Sequence, residues 1–174
     1  RPPRSTLFPY TTLFRSVPSD RVIEKGDFVL MDYGAGYCDY RSDMTRTVVM
    51  GEPTQEQLDL YALVRRTHEE CVAAIHPGVE GNDIFKLSKK IIGDAGYGDY
   101  YNHGLGHGVG IDIHELPNFN RSKNTIEIGS VVTMEPGVYL PGVSGVRLED
   151  YGVVTENGYE PFTKTPHDLH VIDC

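Results

Sequence analysis

A chain of 174 residues, 39% hydrophobic and 24% charged, holds enough material for one domain with a substantial core and too little for two. Its formal charge of −9 argues against the basic face that nucleic-acid binding requires, and no apolar run approaches the roughly 20 residues of a membrane span. Three widely spaced cysteines, Cys38, Cys71 and Cys174, without a Cys-x-x-Cys pair, suit neither a disulfide framework nor a thiolate zinc site; a reducing, cytoplasmic setting is expected.

The opening residues 1–16, RPPRSTLFPYTTLFRS, contain three Arg, no acid and no Gly, and show neither a helix nor a strand period. Pro9, Tyr10 and the threonines interrupt any apolar stretch of a signal peptide. Residues 26–51 have β-rich flanks, Phe28–Tyr33 and 45–50, around a Gly-containing middle, and predict strands meeting in a hairpin.

Thr54 with Gln57 three residues on forms a capping-box pattern. Behind it Leu60, Leu63, Val64, Thr67, Cys71, Ala74 and Ile75 recur at helical spacing until Pro77-Gly78 stops the helix. A second helix is predicted from Asn82, burying Ile84, Leu87, Ile91 and Ala95 and ending at Gly96. From Tyr100 onward SVVTMEPGVYL, GVRLEDYGVVT and HGLGHGVGIDIHELP have β-branched runs and many Gly but no helical period. Strands, two helices, then strands is an α+β order.

The chemistry lies in acids planted in those apolar strands. Asp32 follows FVLM, Asp43 precedes MTRTVV, Glu135 follows VVTM and Glu149 sits in GVRLED. Burying a carboxylate is costly without a compensating cation. Singly, each has an ordinary explanation: Asp32 and Asp43 as turn caps, Glu149 as a partner of Arg147. Together with His107 in a Gly-rich strand, four such acids call for divalent cations, two of them, in an oxygen-rich site suited to manganese, with cobalt, iron or zinc as alternatives. Bridging carboxylates would hold two such ions about 3.5–4 Å apart.

The stretches DYGAGYCDYRSDMTRT, HGLGHGVGIDIHELPN, TMEPGVYL and GVRLEDYGVVTENGYE resemble the successive metal-site motifs of the pita-bread metallopeptidases, which include methionine aminopeptidase, aminopeptidase P and prolidase. The resemblance runs from Val17 to about Asp173. It implies a curved antiparallel sheet with covering helices and five metal ligands: Asp32, Asp43, His107, Glu135 and Glu149. Arg46, His103 and Arg147 are similar to the Xaa-Pro branch, aminopeptidase P and prolidase. The same resemblance implies that His103 and His114 flank a proline-containing peptide, that Arg147 joins the catalytic set, and that Glu135 doubles as proton shuttle. The implied reaction is hydrolysis of an Xaa-Pro bond, at the N-terminus of peptides or in dipeptides, by a hydroxide shared between two metals. An imidazole donor at His114 would stabilise the oxyanion.

His68, His76, His167 and His170 read as surface or hydrogen-bonded core residues. His103, His107 and His114 differ in sharing one Gly-rich segment, a composition that permits close backbone approach to a ligand. Two rival readings are a metal-free creatinase-like hydrolase and a non-catalytic pita-bread binding module. Both generally lack the full ligand set, so five filled positions argue against them.

The family places a histidine just ahead of VPSDRVIEKGD, where this chain has Arg15, and further helices before it. Residues 1–16 are instead similar to the translation of a short-read sequencing adapter. The expected organisation is therefore an adapter-derived segment, 1–16, joined to the C-terminal part of a catalytic domain, 17–174, with the first-half helices missing. Such a fragment would have low or no activity, while the parent would be a homo-oligomer.

Overall fold

The computed structural model describes residues 20–173. The boundary at residue 17, Arg15 and Cys174 lie outside the described residues.

The hairpin expected from residues 26–51 is present. Strand β1 (Phe28–Tyr33) pairs antiparallel with β4 (Met44–Met50), Asp32 facing Thr45. Between them the two-residue strands β2 (Gly36–Tyr37) and β3 (Tyr40–Arg41) form a small outer hairpin whose turn puts Cys38 and Asp39 at positive φ. Helix α1 (Gln55–Ala73) follows. The Thr54 hydroxyl accepts the Gln57 backbone N–H and the Gln57 side chain accepts the Thr54 N–H, a completed capping box contributing about 1 kcal/mol.

Helix α2 (Gly81–Asp94) starts one residue before Asn82. It buries Ile84, Ile91 and Ile92, whereas Leu87 is half-buried. Ala95, expected in the core, is exposed, because the helix has already ended and Ala95 is its cap.

After a short 3-10 turn, Gly98–Tyr100, the remaining strands follow: β6 (Gly106–Gly108), β7 (Glu115–Phe119), β9 (Val131–Met134), β10 (Gly137–Leu140), β11 (Ser144–Arg147), β12 (Asp150–Thr155), β13 (Gly158–Pro161) and β14 (His170–Ile172). Strands β5 (Val79–Glu80) and β8 (Thr125–Ile126) pair with each other beside α2. One sheet has the order β13-β12-β9-β6-β7 and a second the order β1-β4-β14, with β10 and β11 as a separate hairpin. The curved antiparallel sheet is thus divided, and a Thr45–Glu149 bridge ties the two larger parts. The β14–β4 pairing is parallel, a departure from the all-antiparallel expectation.

Two apolar clusters join helices to strands. Cys71, Ile75 and Ile84 pack with Leu105, Phe119, Val132, Met134 and Val154. Leu60, Val64 and Ile92 pack with Tyr101, Val138, Val146 and Leu148. Full burial of each large aliphatic side chain contributes roughly 1.5–3 kcal/mol, so these clusters fix the strands that carry the acids. Among the described residues no helix is long and apolar enough to cross a membrane.

Candidate metal centre

Glu135 and Glu149 occupy equivalent places in the chain path. VVTMEPGVYL reads as one strand but is interrupted at Glu135-Pro136, so that β9 ends at Met134 and β10 begins at Gly137. Likewise GVRLEDYGVVT breaks at Leu148-Glu149, between β11 and β12. Each break lets the chain change strand partner: β9 and β12 pair with each other, and so do β10 and β11. The Glu135 N–H donates to Leu105 O at 2.8 Å and the Glu149 N–H to Thr45 O at 3.1 Å, which orients both side chains.

His107 is the central residue of β6. A Cβ on Gly106 would lie 2.2 Å from the Thr133 carbonyl oxygen, and one on Gly108 2.6 Å from that of Leu116. The glycines flanking His107 thus allow neighbouring strands to approach, a packing role where the sequence reading expected approach to a ligand. His103 and His114 are not on that strand. His103 precedes it, and His114 stands at the start of the return arm, exposed, with its ring centroid 4.2 Å from that of His107.

Asp43, His107 and Glu149 each present a donor atom, all within 4.8 Å of one another. His107 Nε2 lies 3.3 Å from Glu135 Oε1 and 3.7 Å from Asp43 Oδ2. Its Nδ1 sits 3.0 Å from Gly108 O; a carbonyl only accepts, so Nδ1 carries the proton and Nε2 offers its lone pair to the acids' side.

Asp32 stands at the margin. Its side chain is half exposed and is held by the Arg147 guanidinium through Nη2. Arg147 also donates Nη1 to Tyr139 Oη at 2.9 Å and Nε to Thr45 Oγ1 at 3.0 Å, and its Nε is 3.9 Å from Glu135 Oε2. The Arg147–Glu149 pair considered for the sequence does not form; Glu149 Oε2 accepts the Thr45 hydroxyl at 2.5 Å instead. Asp32 likewise serves Arg147 rather than capping a turn.

Burial pushes the Asp43 carboxyl up to about 7, with repulsion from Asp32 added and Arg147 opposing. Burial raises Glu135 to about 8, against the pull of Arg147. Glu149 rises well above the carboxylate range through burial and repulsion by Glu135 and Asp43. Burial lowers His107 and His103 to about 4, so both imidazoles are neutral at neutral pH. Crowded acids that hold protons and a neutral imidazole with a directed lone pair are the chemistry of a cation site.

His103 donates Nδ1 to Gly104 O at 2.7 Å, and its ring centroid lies 5.2 Å from that of Tyr101 and 5.4 Å from that of Tyr139. Sequence reasoning passed over Thr45 and Tyr139, which fix Glu149 and Arg147. Thr45 is identified only by the long-range register of β4 against residues 147–149, and Tyr139 only by the β10–β11 pairing that brings it beside Arg147. It also placed His68 and His167 among ordinary residues. They meet at Asp150, His68 buried in the core, while His76 and His170 are exposed.

With this geometry the chain falls in a recognisable class: residues 9–156 match the metallopeptidase family M24, and the protein belongs to that family. The match begins within the first sixteen residues. Over 160 residues the chain is 43% identical to an Xaa-Pro dipeptidase of Pyrococcus furiosus, covering 91% of this chain and 46% of that protein. The prolidase of Pyrococcus horikoshii superposes with a TM-score of 0.86 at 41% identity, over 91% of this chain and 46% of that one. An X-Pro aminopeptidase of Thermotoga maritima superposes with a TM-score of 0.85 at 35% identity, over 88% and 44%. The fold is the pita-bread fold of these enzymes, and the chain spans just under half the length of the relatives it matches.

Proposed function

We propose that this chain carries the metal centre of an Xaa-Pro metallopeptidase that uses two divalent cations, manganese foremost. The observation that supports it most directly is the convergence of Asp43, His107 and Glu149 within 4.8 Å, with Glu135 beside His107. Asp32 would complete the ligand set by exchanging its Arg147 partner for a cation. When bound, the cations would supply Lewis acidity and lower the pKa of water to near neutrality.

The remaining chemistry belongs to the side chains. Glu135, adjacent to the centre at 3.3 Å from His107 Nε2 and ionised once cations offset the crowding of the acids, would accept a proton from the attacking water and deliver it to the leaving nitrogen. That delivery matters for a prolyl amide, which leaves as a secondary amine. His114, on the exposed side of His107, would donate to the developing oxyanion, and His103, between Tyr101 and Tyr139, would orient the peptide. Arg147 would hold Tyr139 and the Thr45 hydroxyl in register.

The decisive experiment measures manganese-dependent release of proline from Ala-Pro or Leu-Pro by a longer protein that carries residues 17–174. Cleavage confined to Met-Ala peptides would refute the assignment. The 174-residue chain itself should show weak or no turnover, since the family's upstream histidine position holds Arg15; turnover equal to that of the longer protein would overturn this part. A folded chain that binds no manganese, cobalt or zinc would favour the metal-free hydrolase or the binding module.

A further inference from the structure

Asp150 follows Glu149 in the chain, yet its side chain serves a different cluster. Its Oδ1 accepts from Arg46 Nη2 at 2.7 Å, and its Oδ2 lies 2.6 Å from His167 Nε2 and 3.5 Å from His68 Nε2. The three contributing elements are separate: His68 is on α1, Asp150 begins β12, and His167 lies on the segment joining β13 to β14. His68, Asp150 and His167 each present one donor, all within 4.8 Å of one another. His68 is 2% exposed, and its Nε2 makes no hydrogen bond among the described residues. A cavity of about 210 Å³ opens on the cluster, lined by His68, Glu69, Val72, Asp150, Tyr159 and His167.

A purely structural network accounts for Arg46 and His167, both hydrogen-bonded to Asp150. It leaves the ring nitrogen of His68 buried without a hydrogen bond, 3.5 Å from the Asp150 carboxylate, which is unfavourable for a buried polar atom. A cation on the cavity side accounts for all three residues. Donor atoms around a tetrahedral ion at about 2.0–2.1 Å lie roughly 3.3 Å apart. The His68–Asp150 spacing of 3.5 Å already fits, and the His167–Asp150 contact must widen by less than 1 Å. The His167 side chain is 28% exposed on a connecting segment, so it can move that far. Arg46, bonded to Asp150 Oδ1, leaves Oδ2 facing the imidazoles and fixes the carboxylate's orientation.

We infer that His68, Asp150 and His167 form a second cation site, selective for a borderline transition ion such as Zn²⁺, with cavity water in the fourth position. Two imidazoles and one carboxylate are softer than the acid-rich donor set around His107, so the two sites prefer different metals. Occupancy of this site fastens the β13–β14 segment to α1.

The test uses the full 174-residue chain and zinc alone. A variant carrying Asp43→Asn and His107→Ala, dialysed against micromolar zinc, should retain one zinc per chain. Adding His167→Gln, on the exposed side of the cluster, should bring that count near zero, as should His68→Gln. In the otherwise unaltered chain, His167→Gln should lower the zinc count by one. Cobalt substitution of the Asp43→Asn, His107→Ala chain should give intense tetrahedral visible absorption that His167→Gln abolishes. Retention of no zinc in that background, or zinc counts unchanged by both His68→Gln and His167→Gln in folded protein, would overturn the inference. Because the acid-rich centre is disabled in this background, the outcome is independent of whether the protein cleaves Xaa-Pro bonds.

Discussion

Thr45 illustrates how single residues govern the centre. Its hydroxyl donates to Glu149 Oε2 and accepts from Arg147 Nε, so one buried oxygen steers an acid and a base at once. Thr45→Val keeps the shape and removes both bonds. It should destabilise the fold by about 1–3 kcal/mol in urea titration and weaken manganese binding measured by calorimetry. His107→Ala should lower metal retention after dialysis, whereas Glu135→Gln should reduce kcat of the longer protein by roughly 10²–10⁴-fold, the range for a lost acid–base group. The acids and the imidazole that gather at the candidate centre were legible as types and spacings. Their immediate partners were not, since Arg147 meets Asp32 across 115 positions and Thr45 meets Glu149 across 104.

The same groups set a pH dependence. Asp43 and Glu135 are raised to about 7 and about 8, so the folded chain holds protons there that the unfolded chain has lost. Stability from these groups falls as pH rises toward the folded values. His68, His103 and His107, each lowered to about 4, act in the opposite sense, adding stability as pH rises to about 6.5. Above that value the histidines contribute no further change and the acids dominate. The Tm of the chain in chelator should therefore drop between about pH 6.5 and 8, and added manganese should reverse the trend by favouring ionised carboxylates.

At the scale of elements, local rules worked where neighbours in sequence are neighbours in space. Thr54 and Gln57 announce α1 because a capping box is a four-residue device, and it forms. Period and β-branching likewise marked the β1–β4 hairpin. The breaks at Glu135-Pro136 and Leu148-Glu149 went unread, because a β-branched run does not show where a strand changes partner. The short β14 was missed for a related reason: its pairing with β4 is its main structural commitment, and three residues carry little period. The close approach at β6 yields an element-level prediction. Gly106→Ala would press a methyl group against the Thr133 carbonyl, costing about 1–3 kcal/mol by chemical denaturation and displacing His107 enough to lower metal affinity.

Across the whole molecule, helices and strands are sorted so that apolar clusters lie under the helices and the acids gather where the two sheets meet. The α+β class followed from the order of patterns, and the pita-bread fold from four motifs that share no local period. Division of the sheet was not legible, since it turns on the breaks at Glu135-Pro136 and Leu148-Glu149, and the bridge that ties its parts joins residues about 100 positions apart. On the outer side, Met31, Tyr33, Tyr37 and Tyr40 are exposed around β1 and the small hairpin. Replacing Tyr37 and Tyr40 by Ser should leave Tm nearly unchanged while raising the concentration at which light scattering reports association.

The parallel pairing of β14 with β4 also carries a consequence for biosynthesis. Residues 170–172 align with residues 48–50, and Arg46 reaches the carbonyls of Thr165 and Pro166. During translation, the strand bearing Arg46 must wait through the synthesis of more than a hundred further residues before its edge is closed. Contacts of such high order slow folding and leave that edge open to mispairing meanwhile. The nascent chain therefore completes the platform beneath its acids only after β14 has left the ribosomal tunnel.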